Sequence, residues 1–93
     1  MPAESILRIT IWDYDAKRIA ALDRLIYQCA RELGLKTAVN SVAEPPALAR
    51  EQLMNRVPAL EIEGQFWSLK AGGVPGAGEL SALLKRFSRP AVK

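Results

Sequence analysis

Asn55-Arg56-Val57-Pro58-Ala59-Leu60-Glu61-Ile62-Glu63-Gly64 is the stretch on which the fold depends, followed after Gln65 by Phe66-Trp67-Ser68-Leu69. From Pro58 to Glu63, Leu60 and Ile62 alternate with Glu61 and Glu63, the period-two pattern of a strand with one buried face. Gly64 then supplies a turn, and the aromatic run beyond it reads as the returning strand of a hairpin. A turn this short leaves the two strands antiparallel.

Working outward, Ile6 to Trp12 reads Ile-Leu-Arg-Ile-Thr-Ile-Trp and sets Leu7, Ile9 and Ile11 on one face, which predicts a first strand. From Ala16 to Leu33 the apolar residues Ile19, Leu22, Leu25, Ile26, Cys29 and Leu33 recur at steps of three and four, opposite Lys17, Arg24, Arg31 and Glu32. That spacing predicts a long amphipathic helix, started by Asp15 as N-cap and ended by Gly34 in a left-handed conformation. Leu35 to Val42 reads as a second strand, and Pro46 opens a short helix expected to run to about Asn55. Ala71 to Gly78, with four glycines and Pro75, reads as a connector. Leu80, Leu83, Leu84 and Phe87 mark a closing helix that ends before Pro90. The order β-α-β-α-β-β-α follows. A helical crossover makes the first two strands parallel, so the expectation is a mixed four-stranded sheet in a single domain spanning residues 1–93.

Composition narrows the chemistry. The chain has 93 residues, no histidine and one cysteine. An internal disulfide is therefore impossible, and the commonest metal ligand and neutral-pH general base are both missing. Most hydrolase triads and zinc sites are excluded. A formal net charge of +3 makes a nucleic-acid surface a weak expectation. No apolar run approaches the roughly 18–20 residues that cross a bilayer, and the acidic start Met1-Pro2-Ala3-Glu4-Ser5 is unlike a basic signal peptide. These features, with a single thiol, point to a cytoplasmic protein without metal or membrane partners. The loop Gly72-Gly73-Val74-Pro75-Gly76-Ala77-Gly78 precedes a helix but lacks the Lys-Ser or Lys-Thr of a phosphate loop. Ser81 stands where a dinucleotide fingerprint would need its third glycine, so no cofactor is implied. Lys85, Arg86, Arg89 and Lys93 concentrate charge toward the C-terminus, where cations favour the negative end of a helix.

The order of elements, the Asn55–Gly64 segment and the closing helix resemble the thioredoxin-like fold over nearly the whole chain. The likeness is greatest to small redox-disulfide and glutaredoxin-like members, in which Val-Pro-Ala-Leu precedes a strand and a turn glycine. Arg31-Glu32-Leu33-Gly34 likewise has a counterpart at the end of their first helix. The resemblance implies a Cys-x-x-Cys pair at the start of that helix, but here the matching stretch is Ala16-Lys17-Arg18-Ile19. Ala16 and Ile19 occupy the cysteine positions, and no cysteine lies between Trp12 and Tyr27. Cys29 is 13 residues beyond Ala16, roughly 20 Å along a helix at about 1.5 Å per residue, too far to substitute. Its place on the apolar stripe reads as a small buried hydrophobe.

The resemblance further implies a cis Pro58 and a backbone at Val57 that pairs with an extended peptide or with glutathione. Trp12, Tyr14, Lys17 and Arg18, with Asp13 and Asp15, should crowd the same end of the sheet. Aromatic surface, cations and a helix N-terminus there would suit a peptide or an anion. The same residues also read as a strand-core tryptophan beside a solvated charged loop. Asp13 and Asp15 carry little weight as an acid–base pair, because no histidine or metal-ligand cluster accompanies them.

The leading expectation is a thioredoxin-like binding or protein-interaction module without its redox pair, taking a protein or peptide partner, with a homo-oligomer open. Two alternatives belong to other classes. One is a thiol-disulfide or glutathione-dependent enzyme working through Cys29 or a partner's cysteine. The other is a regulatory assembly protein similar to the KaiB clock proteins, which resemble thioredoxin and lack the cysteine pair. With Ala16 and Ile19 at the cysteine positions, insulin reduction in the presence of dithiothreitol should stay at background. A rate well above background that survives Cys29→Ser would contradict this.

Overall fold

The computed structural model describes residues 6–87. Seven elements follow in order: β1 (Leu7–Trp12), α1 (Ala16–Leu33), β2 (Thr37–Val42), α2 (Pro45–Arg50), β3 (Ala59–Ile62), β4 (Gln65–Trp67) and α3 (Ala77–Phe87). The strands form one mixed, open sheet of order β2-β1-β3-β4. β1 runs parallel to β2 from Leu7↔Thr37 to Trp12↔Val42. It runs antiparallel to β3 from Ile9↔Ile62 to Trp12↔Ala59, and β3 and β4 form the expected hairpin. Ile62 and Gln65 face each other across a turn whose two residues, Glu63 and Gly64, both have positive φ (53° and 82°), as a type I′ turn requires.

Period-two alternation divides the strand residues between the two faces of the sheet, each of which carries a core. Leu7, Ile9, Ile11, Leu60 and Ile62 pack with Leu22, Ile26 and Cys29 of α1 and Leu80, Leu83 and Leu84 of α3. That core covers one face of the sheet. On the other face a smaller cluster joins Leu48 of α2 to Leu53, Val57 and Ala59, with Trp12 and Phe66 against it. Trp12 and Phe66 meet edge to face at 5.6 Å and 78°, and the Trp12 indole N–H donates to Glu61 Oε1 at 2.9 Å. An indole placed this way buries apolar area while keeping its polar atom satisfied.

Both α1 and α2 close on the same backbone motif. Leu35 N–H bonds Ala30 O and Gly34 N–H bonds Arg31 O, with Gly34 at φ 72°. Leu53 N–H bonds Leu48 O and Gln52 N–H bonds Ala49 O, with Gln52 at φ 60°. Each is a left-handed residue followed by a hydrophobe that folds back on the last turn. The short helix therefore ends at Arg50, not near Asn55. Leu53 is turned under to reach Leu48, and the fully buried pair compensates for left-handed geometry at a residue other than glycine.

Other boundaries move by a few residues. β2 begins at Thr37, and α3 takes up Ala77 and Gly78 from the expected connector. Glu79 Oε1 accepts from Gly76 N–H at 3.0 Å, and Leu80 N–H bonds Gly76 O, so Gly76 caps α3 with the reciprocal half of a capping box. Arg89, Pro90 and Lys93 lie outside the described residues, as does Met1-Pro2-Ala3-Glu4-Ser5. Among the described residues, no helix is long and apolar enough to cross a membrane.

Cys29 is 1% exposed, and its thiol lies 3.7 Å from Ala77 O at the start of α3. A thiol reagent should therefore label it far more slowly in native buffer than in denaturant. Cys29→Ala should cost on the order of 1 kcal/mol by opening a small cavity between α1 and α3, read from urea unfolding. Equal labelling rates in the two conditions would contradict the burial.

Candidate functional site

At the C-terminal end of β1 the chain must turn sharply into α1, and two carboxylates make that turn. Asp13 Oδ1 accepts from Tyr14 N–H at 2.7 Å and Asp15 N–H at 3.1 Å. Asp15 Oδ1 accepts from Lys17 N–H at 2.9 Å and Arg18 N–H at 3.2 Å, as an N-cap does. The Lys17 and Arg18 amides at the start of α1, where the sequence offered a place for an anionic ligand, are thus occupied by the Asp15 carboxylate.

Asp13 has no exposed surface, which the reading of a solvated charged loop did not anticipate. Arg18 holds it with two bonds at 2.8 Å, Nε to Oδ2 and Nη2 to Oδ1, while Nη1 reaches Gly72 O at 3.3 Å. Five residues apart in sequence, the two close one turn of chain into a bidentate ion pair. Burial opposes ionisation of Asp13, but the Arg18 hydrogen bonds, the amides of Asp15 and Tyr14 and the guanidinium charge outweigh it and lower its pKa below the ordinary 3.8. The same hydrogen bond raises the Arg18 pKa despite partial desolvation. Arg18 is thus a structural cation, neutralised where an anion-binding site was expected. Its guanidinium carbon also lies 5.7 Å from the Tyr14 ring centroid.

Three segments meet around this pair. Tyr14 and Arg18 from the start of α1, Met54, Asn55 and Val57 from the approach to β3, and Ala71 and Gly72 from the loop after β4 line an open depression of about 320 Å³. The Val57–Pro58 peptide is cis, and both residues are buried. Gly72 N–H donates to Val57 O at 2.7 Å, with Gly72 at φ 80°. This left-handed position suits glycine and lets the loop close on Val57. Ser68 Oγ donates to Arg56 O and ties the end of the hairpin to the same segment. The Val57 carbonyl is therefore already taken, whereas its N–H has no hydrogen-bond partner among the described residues.

Of the residues singled out from sequence, Tyr14, Arg18 and Val57 come together at this depression, and Pro58 follows Val57 into the core. Trp12 does not line it, because its ring is packed on the second core. Lys17 is exposed and also stands outside it. Ala16 is exposed at the first helical position, and Ile19 packs against the main core. Met54, Asn55 and Gly72 were missed. The first two fall within the helix expected to run to about Asn55, and Gly72 within the expected connector. Tyr14 and Met54 are 50% and 38% exposed, two of the four large hydrophobic side chains open to solvent among the described residues.

No described group of three or more His, Cys, Asp or Glu side chains could hold a metal ion. Comparison with protein-family models, curated proteins and solved structures found no match.

The ion pair has a definite pH signature. The folded Asp13 pKa is lowered, so its contribution is complete above the ordinary carboxylate value of 3.8 and is lost as pH falls through the lower folded value. Arg18→Ala should cost about 3 kcal/mol at neutral pH, since it leaves a buried carboxylate unpaired. Asp13→Asn should be destabilising at neutral pH and should flatten the acid limb of stability against pH. Urea unfolding across that range provides the check, and an acid limb unchanged in Asp13→Asn would contradict the assignment.

Proposed function

We propose that the chain is a non-catalytic, thioredoxin-like binding module whose ligand is a segment of a protein or peptide held at the Tyr14–Val57–Gly72 depression. The observation that carries this reading is the coincidence there of exposed Tyr14 and Met54 with an unpartnered Val57 N–H and a neutralised Arg18. Apolar surface beside one free backbone donor suits an uncharged side chain and a single carbonyl from an extended chain. It suits an anion poorly, because the Lys17 and Arg18 amides and the guanidinium are already committed. Ordinary strand addition would use both backbone groups of Val57, and Gly72 leaves only one of them.

Absence of thiol chemistry is part of the same proposal. Ala16 and Ile19 carry no nucleophile, and the buried Cys29 thiol faces α3. Assembly with a regulatory partner, as the KaiB comparison suggested, would be one form of protein binding, and no observation favours it over others.

An amide-resolved NMR titration with short uncharged extended peptides, and separately with glutathione, tests the proposal. Peptide-induced shifts should cluster at Tyr14, Met54, Asn55, Val57, Ala71 and Gly72. Tyr14→Ala or Met54→Ala should weaken binding about fivefold or more, on the order of 1 kcal/mol for a lost apolar contact. Lys17→Glu should leave it unchanged, and glutathione, an anion, should bind more weakly than the peptides. Shifts centred instead on Lys85 and Arg86, or insensitive to Tyr14 and Met54, would overturn the reading.

A further inference from the structure

Tyr27 and Ile6 are 49% and 53% exposed and lie away from the Tyr14 depression. On α1, Arg24, Tyr27, Gln28 and Arg31 are all exposed and follow the spacing of one helical stripe, opposite the Leu22, Ile26 and Cys29 that enter the main core. Two open depressions, of about 500 and 430 Å³, share Tyr27 and Arg31. The first extends past Ala30 to Leu35 and Ile6, and the second along Arg24, Gln28 and Glu32. Sharing two residues, they make one continuous groove beside the Tyr27 ring.

The charge of this groove depends on which side chains are already paired. Arg24 and Arg31 have no side-chain hydrogen bond or ion pair among the described residues, and Glu32 is the one carboxylate in either lining. Lys36 also borders the first depression, but it already has an interaction of its own. Two unpaired guanidinium groups against one carboxylate leave the groove cationic, and Tyr27, Leu35 and Ile6 form its apolar part. Arg24 and Arg31 are seven residues apart on one helix, about 10 Å at 1.5 Å per residue.

We propose that this groove docks an acidic segment of a partner protein, in which carboxylates flank an apolar side chain. In an extended chain residues two apart point the same way and each residue advances about 3.3 Å, so Glu-x-Leu-x-Glu offers two carboxylates about 13 Å apart with an apolar group between them. Two long arginine side chains rooted about 10 Å apart can reach both, while the apolar group lies on Tyr27 and Leu35. Each guanidinium–carboxylate pair supplies directional, charge-assisted hydrogen bonds. The same charges weigh against other occupants. A second copy packing this face of α1 antiparallel would set Arg24 against Arg31 of that copy, like charge on like. A phosphate backbone would answer the arginines but leave the apolar part of the groove uncovered. The groove is also separate from the Tyr14 depression, since Arg31 lies 15 residues beyond Ala16, about 22 Å along α1. One chain can therefore hold two segments, one near each end of this helix.

An amide-resolved NMR titration of the full chain at low salt, with the capped peptide Glu-Ser-Leu-Ser-Glu as probe, tests the proposal. Shifts should cluster at Arg24, Tyr27, Gln28, Arg31 and Leu35 and spare Val57 and Gly72. Lys-Ser-Leu-Ser-Lys should bind about tenfold more weakly, and Glu-Ser-Ser-Ser-Glu about fivefold more weakly. Arg24→Glu combined with Arg31→Glu should reverse the preference toward the lysine peptide while circular dichroism stays native, because both positions are exposed. Tyr27→Ala should weaken the acidic peptide, whereas Tyr14→Ala should leave it unchanged, which separates this groove from the depression proposed above. Equal binding of the acidic and basic peptides would overturn the proposal. So would shifts centred on other residues, a preference of the same residues for a single-stranded oligonucleotide, or self-association of the chain through this face.

Discussion

The ion pair of buried Asp13 with partly exposed Arg18 is the interaction on which the site depends. Asp13 sits at the end of β1 with no exposed surface, and its carboxylate simultaneously organises the backbone of the turn and receives a bidentate guanidinium from the first turn of α1. The same guanidinium touches Gly72 O, and the Gly72 amide closes on Val57 O. A chain of contacts thus runs from β1 through α1 and the loop after β4 to the residue before Pro58. An ion pair of this kind is weak evidence for stability, since removing both charges can be nearly neutral, but it fixes where the three segments lie.

That arrangement reverses the expected electrostatics of the site. A helix N-terminus flanked by Lys17 and Arg18 reads from sequence as a place for an anion. Once Asp13 and Asp15 supply the anions from within the chain, the large apolar side chains that face solvent there are Tyr14 and Met54. The proposed ligand is accordingly an uncharged extended segment.

The parts of the structure legible in sequence are those governed by periodicity or by glycine. The stripe from Ile19 to Leu33 located α1 and put Cys29 in the core, and Gly34 marked the helix end. Alternation in Pro58 to Glu63 located β3, with Gly64 marking the hairpin. What escaped was fixed by tertiary contact. Gln52 carries no sequence signal for a left-handed turn. It adopts one because Leu53 gains burial beside Leu48, and α2 stops early as a result. Asp13 gives no hint of burial until Arg18 is seen to reach it. Gly72 lies in a stretch that reads only as a connector, and its bond to Val57 joins residues 15 apart that no local pattern links.

Through its contact with Gly72 O, the Asp13–Arg18 pair holds the Gly72 loop against Val57 and so shapes the depression. Amide hydrogen exchange on wild type and Arg18→Gln measures this most directly, because the Gly72 N–H is the donor of the bond to Val57. In Arg18→Gln, exchange at Gly72, Tyr14 and Asp15 should accelerate well beyond that of the core amides of Ile9 and Ile26. If those amides accelerate only in step with the core, or if Gly72 protection is unchanged, the pair does not position the loop.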